Sequence, residues 1–246
     1  MANIEALVTD LSAEHDALDC RIAGLDPAVW ATPTPAEGWT IGDQIQHLWF
    51  YDRKARQALT DPDGFVASID EVQGPAGEPK ALLDCWRHDR ADLTEAIRAR
   101  DQATRVPWYG PAMSVASFTT ARLMETWAHG TDVGDALGLP PVQSERLRHV
   151  CHIGIAARPY AFSVHGKQDP GDPIRVEVTD PEASWGPEDA TDRVTGPALD
   201  LALVVTQRRH PADTSLAVTG PTAQAWIQVA QAFAGPAGAG RQPARP

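Results

Sequence analysis

Positive charge is scarce in this chain of 246 residues, where 21 lysines and arginines stand against 33 aspartates and glutamates and leave a formal net charge of -12. Such a surface repels the phosphate backbone of nucleic acids and anionic lipid headgroups, so neither is expected as a partner. Long apolar runs are absent too. No stretch approaches the roughly 18 to 20 apolar residues of a membrane span, and "MANIEALVTDLSAEHDALDC" carries charges where a signal peptide would have its apolar core. The expected location is the cytoplasm. Cysteine is equally sparse: Cys20, Cys85 and Cys151 are odd in number, far apart and free of any C-x-x-C spacing. That excludes a disulfide framework and a zinc-thiolate cluster, and leaves reduced structural thiols. The chain also has no G-x-S-x-G, H-E-x-x-H, P-loop or dinucleotide glycine motif.

What is present is enough apolar content, 43% of residues, to build one large core or two smaller ones. Ile4, Leu7, Val8, Leu11, Leu18 and Ile22 keep the three-and-four spacing of a helix that ends near Gly24. Thr40 offers an N-cap to a second helix carrying Ile41, Ile45, Leu48, Trp49 and Leu59 toward "DPDG". Lys80 to Arg100 reads as a third, and Val115 to Gly138 as a fourth, after the loop "VPWYGPAM". Four amphipathic helices joined by loops with Pro and Gly predict an antiparallel four-helix bundle. A fifth apolar segment, "RLRHVCHIGIAARPYAF", follows, and the pattern changes after Gly166. There "PIRVEVTD" and "TSLAVTG" read as strands, while "PALDLALVVTQRR" and "PTAQAWIQVAQAFAG" read as helices. The fold class expected is α+β: a helical bundle over residues 1–165 and a small α/β domain over 166–246, ending in a disordered Gly-, Pro- and Ala-rich tail.

Chemistry concentrates on the fourth helix. Glu125 and His129 are four residues apart, so their side chains share one face and can reach a single ion. A solitary E-x-x-x-H pair is more often a surface ion pair, and a third ligand has to come from elsewhere. His47, on the second helix beside Ile41 and Ile45, projects toward the bundle interior, where a bare imidazole needs a partner. Two histidines and one carboxylate from facing helices make a facial set with open positions, suited to one divalent ion: zinc first, with nickel or ferrous iron as the alternatives.

The segments "AEGWTIGDQIQHL" and "ARLMETWAHGTDVGDALG" resemble the DinB-like metal-binding bundle, specifically its mycothiol-dependent maleylpyruvate isomerase branch. That branch takes a histidine from the second helix and an E-x-x-x-H from the fourth, which fall on His47, Glu125 and His129. The stretch "GPALDLALVVTQRRHPADTSLAVTGPTAQAWIQVA" resembles the branch's C-terminal α/β domain. The region from about Asp61 to Val115 matches only as a helical pattern. The resemblance implies an isomerase or thiol S-transferase in which the metal holds a low-molecular-weight thiol, mycothiol in that branch, that adds to a small electrophilic metabolite. Two other readings stand beside it: a thiol-independent metal-dependent isomerase, cyclase or hydrolase, and a metal-binding module without turnover. The expected partners are then a small molecule and a thiol, with the chain a monomer or a homodimer.

Three further residues are candidates for catalysis or cofactor binding. Asp43, one turn before His47, is placed either to orient a ligand imidazole or simply to favour the helix dipole from the first turn. Arg208 and Arg209 in "TQRRHP" can each bring a guanidinium to an anionic substrate or to the thiol cofactor, and the sequence does not choose between them. Trp108, in the Pro-Gly loop, reads as a core aromatic or as a residue lining a site mouth.

Overall fold

A computed structural model describes residues 3–244 and divides the chain into two compact units, residues 1–142 and 143–246. In the first unit, α1 (Ile4–Ile22) starts on Asn3, whose side chain accepts the Glu5 N–H, and buries Leu7, Val8, Leu11, Leu18 and Ile22. A 3-10 turn at Pro27–Ala31 buries Trp30. Helix α2 (Ile41–Thr60) opens with a capping box, in which Thr40 accepts the Asp43 N–H and Asp43 accepts the Thr40 N–H. These pairings meet backbone donors that no helical carbonyl can reach. Helices α3 (Pro62–Ala67) and α4 (Pro79–Arg98) follow, and then a hairpin of β1 (Arg105–Val106) and β2 (Met113–Ser114) leads into α5 (Val115–Ala136). The four long helices form a closed ring of neighbours: α1 packs on α4 and α5, and α2 packs on the same two. One core cluster between them joins Leu18, Ile22, Ile41, Ile45, Leu48, Leu82, Trp86 and Val133.

The second unit begins with α6 (Leu147–Ala156) and α7 (Arg158–Val164). Its sheet contains β3 (Ile174–Thr179), β4 (Ala183–Trp185), β5 (Asp192–Pro197) and β6 (Ala217–Thr219) in the order β4-β3-β5-β6. Strand β3 runs parallel to β5, and the other two pairings are antiparallel. Helix α8 (Ala198–Val205) follows β5 directly, and α9 (Pro221–Ile227) follows β6.

The four long helices and the α+β class agree with the sequence. The division between the units lies at Val142/Gln143, not near residue 165, because α6 packs on α8 within the second unit. Glycine makes that packing possible: a Cβ at Gly154 would stand 2.6 Å from the Cβ of Val205. The fifth apolar segment is two helices, since Pro159 at the start of α7 has no N–H to continue the α6 ladder. The tail expected to be disordered makes hydrogen bonds, Gly238 N–H to Gln231 Oε1 at 2.9 Å and Ala244 N–H to Asp213 Oδ2 at 2.8 Å. Among the described residues no helix is long and apolar enough to cross a membrane.

Candidate metal centre

Helix α2 carries Gln44, His47 and Tyr51 at spacings of three and four, which puts them on one face. Helix α5 does the same with Arg122, Glu125 and His129, and the two helices pack together. Ligand atoms of His47, Glu125 and His129 consequently lie within 4.8 Å of one another. The second such cluster among the described residues, His88, Asp89 and Asp92, lies toward the surface. Its carboxylates already hold partners, Asp89 accepting from Trp49 Nε1 and Asp92 from Arg56.

The orientation of each imidazole is set by an amide. His47 Nδ1 lies 2.9 Å from Gln73 Oε1, and His129 Nδ1 hydrogen-bonds Gln44 Oε1. An amide oxygen only accepts, so both Nδ1 atoms are donors and both Nε2 atoms keep a lone pair. His129 Nε2 then faces Glu125 Oε2 at 3.2 Å, a hydrogen bond when Nε2 carries a proton and two acceptor atoms in contact when it does not. Such a pair is stable only with positive charge between them, supplied by a proton or a metal ion, and a divalent ion fits this donor set.

The electrostatics suit metal binding as well. Burial, together with the charges of His129 and Arg122, pushes the His47 imidazole down to about 3, so it is neutral at neutral pH as a ligand must be. Burial works to raise the Glu125 carboxyl, but its hydrogen bond to His129 and the charges of His129, Arg122 and His47 outweigh that and hold it at about 2. Glu125 is the anion of the set. Arg122 lies deeper, 2% exposed, donating from Nε and Nη2 to Asp52 Oδ1 at 3.1 and 2.9 Å.

Asp43 is occupied elsewhere. Its Oδ2 accepts the Thr40 N–H at 2.9 Å and the Thr40 hydroxyl at 2.6 Å, so it closes the helix cap, and the orienting partners are Gln44 and Gln73. Nothing in the sequence marked them: Gln44 faces a histidine 85 positions away, and Gln73 sits in an irregular segment. Arg208 and Arg209 lie just after α8 in the second unit. Arg208 Nη1 donates to Thr206 O at 2.8 Å, and Arg209 lines a cavity of about 240 Å³ with His165, His210 and Arg241.

The family described as the mycothiol maleylpyruvate isomerase N-terminal domain matches residues 11–134, which include all three ligand candidates. Two uncharacterised proteins of Mycobacterium tuberculosis, from strains CDC 1551 / Oshkosh and ATCC 25618 / H37Rv, are each 45% identical to the chain. The alignments cover 98% of the chain and 100% of each relative. Among solved structures, the mycothiol-dependent maleylpyruvate isomerase superposes with a TM-score of 0.60 at 16% identity, over 90% of this chain and 96% of that one. A histidine-to-alanine mutant of the same enzyme gives 0.60 at 15%. Identity that low carries the fold alone.

Proposed function

The chain belongs to the mycothiol maleylpyruvate isomerase N-terminal domain family, and from that premise we propose that it is a divalent-metal enzyme, an isomerase or thiol S-transferase acting on a small electrophilic metabolite. The observation that carries this reading is the convergence of His47, Glu125 and His129 from two packed helices, with both imidazoles anchored through Nδ1 by glutamine amides. The two Nε2 nitrogens and a Glu125 oxygen would hold the ion, with zinc favoured by the two-histidine, one-carboxylate set. When bound, such an ion supplies Lewis acidity and holds a coordinated thiol or water in its deprotonated form. Gln73 and Gln44 fix the imidazole rings, and Glu125 offsets one of the ion's two charges. Arg208 or Arg209 is proposed to position the anionic group of the thiol or substrate, as a guanidinium does for a carboxylate.

The purified chain is expected to retain about one equivalent of divalent metal after dialysis. His47→Ala and His129→Ala should each lose it by elemental analysis. Addition of mycothiol to the cobalt-substituted protein should then produce a sulfur-to-metal charge-transfer band, with Arg208→Ala or Arg209→Ala raising the thiol concentration required but sparing metal content. Metal retention unchanged in both histidine variants overturns the site. Retention with no band at millimolar thiol favours the thiol-independent isomerase, cyclase or hydrolase.

A further inference from the structure

Two half-buried aromatic rings, Trp39 and Tyr51, pack against the imidazoles of this site, and two more, Trp108 and Tyr109, extend the cluster outward from Tyr51; neither the metal nor the thiol accounts for them. Trp39, in the loop before α2, stacks on His129 with centroids 5.9 Å apart and leans on His47 at 5.1 Å. Tyr51, one turn beyond His47, packs its ring 4.5 Å from that imidazole. The hairpin turn between β1 and β2 adds Trp108 and Tyr109, whose centroids lie 6.3 and 5.4 Å from Tyr51. Behind them Phe65 and Phe118, both 0% exposed, pin Trp108 by a near-parallel stack at 5.5 Å and an edge contact at 5.0 Å. The outer rings are therefore held by a rigid backing while part of each surface remains open. Tyr109 Oη is buried and has no hydrogen-bond partner among the described residues.

Resting on the metal reading above, we infer that Trp39, Tyr51, Trp108 and Tyr109 form an aromatic subsite that takes a planar, unsaturated, uncharged part of the ligand lying beside the metal. Charge chooses among the ligands such rings can hold. An anionic group of the ligand would be held by the ion or by the arginine proposed above and not by these rings, because Arg122, whose charge reaches His47, Tyr51 and Glu125, is committed to Asp52. An organic cation could use the ring faces, but a divalent ion within the same cluster repels it. A neutral conjugated group meets neither obstacle and gains offset and edge contacts with the rings.

The test compares two hydroxamates that offer the metal the same head group: acetohydroxamate, and benzohydroxamate with its added phenyl ring. Titrated calorimetrically into the zinc-loaded full-length protein, benzohydroxamate is expected to bind at least about tenfold tighter. Tyr51→Leu, Trp39→Leu and Trp108→Leu should each pull that ratio toward one, with acetohydroxamate affinity and zinc content held. Because Trp108 also packs on Phe65 and Phe118, the Tyr51 and Trp39 variants decide the matter if Trp108→Leu fails to fold. A ratio near one in the unaltered protein, or a ratio indifferent to all the folded variants, overturns the subsite and leaves the metal centre standing. Tighter binding of benzyltrimethylammonium than of benzohydroxamate overturns it in favour of a cation cage. Failure of both hydroxamates to bind to protein that retains its zinc overturns the subsite as a ligand site beside the metal, whereas loss of zinc itself overturns the metal reading.

Discussion

Asp52 is the counterion of a buried guanidinium in the bundle core. Fully buried on α2, it accepts from both Nε and Nη2 of Arg122 through Oδ1 and from Trp86 Nε1 through Oδ2 at 3.0 Å. A buried pair of this kind adds little net stability over apolar neighbours, yet breaking it leaves a bare charge in a low dielectric. Asp52→Asn is therefore expected to cost about 3–5 kcal/mol of unfolding free energy, because Arg122 keeps its charge and loses its counterion. Asp52→Asn combined with Arg122→Met should recover part of that loss, since it removes the orphaned guanidinium too. Denaturant midpoints measure both; a loss below about 1 kcal/mol for the single variant means the pair is solvated and the network is not what orders this part of the core. Arg122 also ties this network to the candidate metal site, because its positive charge helps hold the Glu125 carboxyl down.

At the scale of elements, the cap on α2 separates two roles that the sequence left open for Asp43. Its hydrogen bonds go to Thr40 and none to an imidazole, so Asp43→Ala and Thr40→Ala should each cost about 1 kcal/mol of stability, as lost N-caps do. Metal content should stay at the unaltered level in both. Loss of metal from Asp43→Ala, as judged by elemental analysis of the folded variant, would return it to an orienting role. The four long helices were legible because each repeats its apolar residues at three and four over about five turns. Helix α3 and the β1–β2 hairpin were not: six residues and two per strand are too short to establish a period. Strands β4 and β5 escaped for a related reason, since "ASW" and "DRVTGP" mix polar, small and breaking residues and gain their order from pairing with β3. Helix α9 stops at Ile227, short of the Gly235 that the pattern suggested, and the following residues turn back so that Ala232 N–H reaches Val205 O. The three ligand candidates were readable because all lie on long helices whose faces the spacing fixes. Gln73 and the aromatic cluster were not, because loops and tertiary packing bring them to the site.

For the molecule as a whole, acid is the condition that tests the fold and the centre together. Burial pushes His15 from its ordinary 6.5 down to about 4, with the charges of Arg90 and Arg122 adding to that and Asp52 opposing it. His15 Nε2 is buried and has no hydrogen-bond partner among the described residues, and Asp52 Oδ2, at 3.9 Å, only partly offsets the cost of a proton there. His47 is lowered further, to about 3, when no metal is bound. A histidine kept neutral in the native state takes up its proton first in the unfolded chain, so unfolding gains protons as the solution is acidified. The stability that His15 contributes is thus fully present above pH 6.5 and is lost as pH falls from there toward about 4, a total of roughly 3 kcal/mol. The depressed carboxylates act lower down: Glu125, at about 2, loses its contribution only as pH falls below the ordinary carboxyl value of 4.5. Between pH 6.5 and 4.5 the buried histidines should therefore dominate. Urea unfolding of the metal-free protein at pH 7.5 and pH 5 is expected to show a clear fall in stability, and His15→Gln should remove a large share of that fall by taking the group out of the titration. Zinc should raise stability at pH 7.5 through binding to the native state alone. A stability curve flat from pH 7.5 to pH 5, or one that His15→Gln leaves as steep as before, would show that this imidazole is not held neutral by the bundle core.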